Sequence, residues 1–135
     1  MPERKKEESV KDKIKQILTD EKVHFRMPPA NGYGKAGDFD FVCCVGGAYL
    51  GVEAKRDDKE APTALQTDNA VSAARHGGVA LLIHKDNLAL LRETIFTMRL
   101  RMSMAQIPVN FRLGYWPEAK PQPEDNDVVV RRKKP

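Results

Sequence analysis

Cysteine is almost missing from this chain: of 135 residues only Cys43 and Cys44 carry a thiol. Neighbours in a strand point to opposite faces, so these two neither pair easily nor build a zinc site. They predict small strand residues, buried for packing, in a reducing compartment. Long apolar runs are missing as well. Nothing approaches the roughly 20 residues of a membrane span, and the charged N-terminus is unlike a signal peptide. No membrane partner is therefore expected, and the expected location is the cytoplasm. His24, His76 and His84 are scattered without a metal-ligand spacing, which leaves them surface or packing roles. The net charge of +4 is too small for a histone-like polycation, yet it fits a polyanionic partner.

What is present reads as one domain. Residues 1–6 form a basic arm with Arg4, Lys5 and Lys6, residues 7–116 the domain, and residues 117–135 a disordered tail closed by Arg131, Arg132, Lys133 and Lys134. Val10, Ile14, Ile17 and Leu18 carry the apolar stripe of an amphipathic helix over 7–20. Residues 24–37, with two prolines and three glycines, read as a loop or irregular strand. Strands are expected over 39–45, 48–55 and 79–84, with a short further one over 109–113. Pro62-Thr63 opens a helix that runs to about Arg75, where Gly77-Gly78 stops it. A second helical pattern covers 86–105, with Leu88, Leu91, Ile95, Met98, Met102 and Ala105 forming a seam that suits either core packing or a dimer interface. The order helix, irregular segment, hairpin, helix, strand, helix predicts a small α/β (α+β) fold, a mixed sheet flanked by helices.

The hairpin holds the chemistry. If Gly46-Gly47 form a two-residue loop, Val45 pairs with Ala48 and Asp40 falls directly opposite Glu53. Glu53 and Lys55 emerge on one face because strand side chains alternate. Two carboxylates at about 5 Å repel by roughly 3 kcal/mol at an effective dielectric of about 20. Sheets normally avoid such pairs, and a divalent cation would reverse the sign. The pattern predicts a metal site.

Asp40 followed by Glu53-x-Lys55 at the end of a hairpin resembles the PD-(D/E)xK nuclease superfamily. Met27-Pro28, the NGYGKAG run of residues 31–37, Asp40-Phe41, the GVEAK run of 51–55, the PTALQ run of 62–66 and the GGVA run of 77–80 narrow it. In order and spacing these are similar to the small VRR-NUC nucleases, whose stand-alone versions are typical of bacteriophages. The resemblance covers roughly residues 7–84, and implies a restriction-endonuclease-like core. One position departs: the family motif usually has Pro before the metal-binding Asp, and here Phe39 stands there, with an extra acid at Asp38. Proline at that point shapes the backbone rather than the chemistry, so the site is expected to survive.

Mg²⁺ favours oxygen ligands and keeps several waters, and Mn²⁺ is expected to substitute for it. Asp40, Glu53 and the Ala54 carbonyl are the candidate ligands, and the ion would polarise a phosphate oxygen and acidify bound water. Lys55 is the candidate group for stabilising developing charge or orienting the attacking water. The resemblance also implies a Glu on the first helix near the metal. Glu7 shares the inward face with Val10 and Ile14; the alternative, Glu8, falls with Lys11, Asp12 and Lys15 on a face that reads as solvent. Gln66 matches the family's Gln and is a candidate for bonding a metal water or phosphate. Tyr33 and Lys35, in the Gly-rich loop, are candidate DNA-backbone contacts, with a packing tyrosine and a solvated lysine as the plain alternative.

The expected activity is a metal-dependent DNA endonuclease. The resemblance implies a homodimer acting on branched DNA such as Holliday junctions, in the host-cell cytoplasm if the chain is phage-encoded. One site per chain makes symmetric two-strand incision a task for a dimer. The alternative is a catalytically inactive DNA-binding module of the same fold, supported only by Phe39.

Overall fold

The computed structural model describes residues 3–29, 37–100 and 116, with side chains from residue 5 onward. Seven elements follow one another: α1 (Glu3–Asp20), β1 (His24–Arg26), β2 (Phe41–Val45), β3 (Ala48–Ala54), α2 (Ala64–Arg75), β4 (Val79–Ile83) and α3 (Leu88–Leu100). The strands form one mixed sheet in the order β1-β2-β3-β4, antiparallel except for the parallel β3–β4 pair. The α+β fold is thus as expected, with β1 an ordered edge strand inside the segment that reads as irregular. The 109–113 strand, Tyr33, Lys35, the 117–135 tail and the end of the 86–105 helix lie outside the described residues.

Period-two alternation assigns each strand residue to a layer. Phe41, Cys43, Val45, Leu50, Val52, Ala54, Val79, Leu81 and Ile83 join Val10, Ile14, Leu18, Leu91, Ile95 and Met98 in one core, between the sheet and the α1/α3 pair. The α3 seam is core, as far as Met98. The opposite face carries a smaller cluster of Phe39, Ala70, Ala74, Ala80, Leu82 and Trp116 beneath α2. Cys43 is buried in the larger core, which pushes its thiol up to about 12, while Cys44 is exposed on the other face.

The hairpin register follows from its turn. Gly46 and Gly47 both take positive φ, 58° and 81°, the type I′ geometry that matches the twist of the flanking strands. Val45 pairs with Ala48, Phe41 with Val52, and one step further Asp40 stands opposite Glu53. Helix α2 begins with a capping box: the Gln66 amide N–H donates to Thr63 Oγ1 at 3.1 Å, and the Thr63 N–H donates to Gln66 Oε1 at 2.9 Å. Parallel pairing of β3 with β4 requires a crossover, and α2 supplies it over the site-bearing face of β3.

Phe39 is more than a backbone substitute for proline. Its ring lies on Gly51, so close that a Cβ built there would fall 2.3 Å from Phe39 Cδ2. It also meets Trp116 edge-on at 5.9 Å between ring centroids, and Tyr49 at 6.1 Å. Phe39 is 2% exposed and a core residue of the α2 layer, so this position also packs the core.

Candidate metal centre

The candidate residues converge at the end of the sheet where β3 finishes and β2 starts. Glu53 lies on the α2 face of β3, opposite the Leu50-Val52-Ala54 core face. Burial takes it to 5% exposure and Lys55, two residues on, to 6%. Lys55 is held by its backbone N–H, which donates to the Ile83 carbonyl at 2.9 Å. Asp40 is fixed from the facing strand, because the Ala54 N–H donates to Asp40 Oδ2 at 2.8 Å. Ala54 thus joins the site through its backbone.

Gln66 reaches the same place from above. Its side-chain nitrogen donates to Glu53 Oε2 at 2.8 Å, while its oxygen is held by the capping box. The capping box therefore decides which end of the amide faces Glu53. The other carboxylate oxygen, Glu53 Oε1, is buried with no hydrogen-bond partner among the described residues. Leaving such an atom unsatisfied costs about 1–3 kcal/mol, more for a charged group. Burial first, and the neighbouring Asp40 carboxylate second, push Glu53 up to about 9. Near neutral pH a proton therefore stays on Glu53, beside the Asp40 carboxylate.

Helix α1 contributes two side chains. Glu7 is half-buried, and burial raises its carboxyl above the ordinary value, with Lys11 pulling down and Asp40 and Glu60 pushing up. Glu8 is exposed. The structure thus brings Glu7, and not Glu8, toward Asp40. Lys11 was expected on the solvent face, and this is corrected: its ammonium lies 3.5 Å from Asp40 Oδ1 and 3.7 Å from Glu7 Oε2. Burial lowers its pKa, but Asp40, Glu7 and Glu53 outweigh burial and hold it raised. The signal available in sequence was the i, i+4 spacing of Glu7 and Lys11. That Lys11 spans to a carboxylate 29 positions away depends on how α1 lies across the sheet end.

Asp40, Glu53, Gln66 and Lys11 are joined by direct contacts, with Glu7 joined through Lys11 and Lys55 within electrostatic reach of Glu53 and Glu7. Among the described residues no cluster of three His, Cys, Asp or Glu side chains would by itself hold a metal ion. The groups that could serve as oxygen ligands are the Asp40 and Glu53 carboxylates, the Ala54 carbonyl and Glu7. The unsatisfied Glu53 Oε1 beside a second carboxylate suits a hard, oxygen-seeking cation. His76 caps α2 through Ser72 and His84 accepts from the Asp86 N–H, both structural contacts. Among the described residues no helix is long and apolar enough to cross a membrane.

In comparisons with known proteins, no family model, curated protein or solved structure matches the chain.

Proposed function

We propose that the chain is a metal-dependent endodeoxyribonuclease of the VRR-NUC type within the PD-(D/E)xK superfamily, hydrolysing phosphodiester bonds in branched DNA. The observation that carries this reading is the opposition of Asp40 and Glu53 around an oxygen without a donor. A protein gains nothing in stability from burying two acids face to face. It gains a cation site.

Hydrolysis adds a water oxygen to phosphorus and expels one sugar oxygen, so the site must hold phosphate charge and place a water. Asp40, Glu53 and the Ala54 carbonyl would hold Mg²⁺ or Mn²⁺, with Glu7 as the added acid. Such an ion supplies Lewis acidity toward a phosphate oxygen and a more acidic bound water. Lys55, on the Glu53 side of the strand, places a positive charge where the phosphate becomes more negative. Gln66 keeps Glu53 Oε2 engaged, which leaves Oε1 as the free donor atom. Lys11 holds Asp40 from the helix side.

The paired nicks of junction resolution call for two such sites, hence a homodimer, and the reading places the protein in the cytoplasm of the host cell of a bacteriophage. The test compares a labelled four-way junction with linear duplex and single strands, in Mg²⁺, Mn²⁺ or EDTA, with Asp40→Ala beside the wild type. Metal-dependent paired nicks near the branch, lost in the variant, are expected. Equal cutting of every substrate would retain the nuclease and discard the junction preference. Binding without cleavage in any metal would leave only a DNA-binding module.

A further inference from the structure

The N-terminal half of α1 has a second charged face. Glu7 and Lys11 turn toward the carboxylates, whereas Lys6, Ser9 and Lys13 follow a different i, i+3, i+7 stripe. That stripe borders a cleft of about 300 Å³, closed on its other sides by Arg56 and Asp57 after β3 and by Lys85 after β4. Four cations and one acid line it. Arg56 is fixed by its neighbours, with Nη1 3.2 Å from Glu60 Oε2 and Nε 3.7 Å from Asp57 Oδ2. Lys6, Lys13 and Lys85 carry no ion pair among the described residues, and all three are exposed. Lys85 acts electrostatically on Asp57, so that acid is already shared with Arg56 and the backbone.

Four cations against the single carboxylate of Asp57 leave the concavity with excess positive charge, and a concave, low-dielectric wall concentrates that field on an entering anion. Lys6 and Lys13 share α1, whereas Lys85 follows β4, so tertiary packing and not helix spacing brings Lys85 to them. The position selects the anion. Arg56 follows Lys55 directly, about 3.8 Å from it along the backbone. Lys6 likewise precedes Glu7 directly, so the cleft adjoins the carboxylate site along both α1 and the end of β3.

We propose that the cleft bounded by Lys6, Lys13, Arg56 and Lys85 seats a backbone phosphate of the nucleic-acid strand, beyond the phosphate at the carboxylate site. The inference rests on the nuclease reading and goes beyond it by naming a second contact point. Ser9, which also lines the cleft, adds a hydroxyl donor suited to a phosphate oxygen.

The experiment measures binding of a labelled junction and a labelled duplex by fluorescence anisotropy in EDTA, across roughly 50–200 mM salt. Lys6→Gln/Lys85→Gln is compared with Lys15→Gln/Lys22→Asn, which removes the same charge outside the cleft. Thermal melts verify that both variants fold, and metal-supported cleavage by the wild type is followed separately. The cleft variant is expected to bind about ten-fold more weakly, with a log–log salt slope shallower by about 1, while the control keeps nearly the wild-type slope. Equal losses in both variants would overturn the cleft and reduce the effect to net charge, even while wild-type cleavage upholds the nuclease. A wild type that neither binds nor cuts nucleic acid would overturn both.

Discussion

Gln66 donates its side-chain N–H to Glu53 Oε2 at 2.8 Å while its own carbonyl oxygen closes the capping box of α2. One side chain thereby couples the start of a helix to the buried acid of the site, and the two roles separate by substitution. Gln66→Glu keeps an acceptor for the Thr63 N–H but turns a donor into a third carboxylate beside Glu53. Stability without metal is expected to fall by about 1–3 kcal/mol, the cost of a buried group left unsatisfied. Mn²⁺ affinity, read by calorimetry, is expected to rise. A variant as stable as the wild type and no tighter for metal would show that Gln66 serves the helix only.

Lys11 is the nearest thing the site has to a resident cation. Lys11→Met removes the ammonium that spans Asp40 and Glu7 but keeps the length of the side chain. Loss of about 1–2 kcal/mol of stability without metal is expected, since both partners are partly exposed and partly screened. The stabilisation gained from saturating Mn²⁺ is expected to increase, because the ion no longer competes with the ammonium for Asp40. Urea titrations with and without metal read both quantities.

Glu53 makes stability depend on pH with a defined sign. Its carboxyl stands at about 9 in the folded chain, against 4.5 as the ordinary value. Through that interval the folded state keeps a proton that the unfolded state has lost. The contribution is fully present below the lower value and is lost as pH rises through the upper one. Metal-free protein is therefore expected to be less stable at about pH 8.5 than at about pH 5.5, by on the order of a few kcal/mol. Glu53→Gln is expected to flatten the profile, and metal uptake near neutral pH to release a proton. A pH-independent urea midpoint in the wild type would contradict the burial of this acid.

Phe39 and Gly51 form a matched pair of large and absent side chains. Gly51→Ala puts a Cβ inside the Phe39 ring, at 2.3 Å from Cδ2, and the ring cannot move freely between Trp116 and Tyr49. A loss of about 1–3 kcal/mol is expected from overpacking. Phe39→Pro is expected to cost about 3–5 kcal/mol through the emptied core. A thermal melt decides it: a Phe39→Pro variant as stable as the wild type would refute the packing role.

The site acids were legible because two local periodicities meet in the hairpin. The Gly46-Gly47 turn and the period-two strands determine that Asp40 faces Glu53 and that Lys55 shares the Glu53 side, whatever surrounds them. The Thr63–Gln66 pairing that starts α2 is equally local, since three residues of sequence contain it. Glu7 was separable from Glu8 because a helix with Val10 and Ile14 inside turns its neighbours to known sides.

The sequence by itself thus determined which residues share a face and which acids oppose one another, for these are consequences of backbone geometry over a few residues. Only the tertiary structure decided that Lys11 reaches Asp40, that the Phe39 ring lies on Gly51, and that Lys6, Lys13 and Lys85 converge around Arg56. Each of these joins segments far apart in the chain. Their meeting depends on how the helices pack over the sheet, and side-chain reach across such a junction is set by packing and not by period.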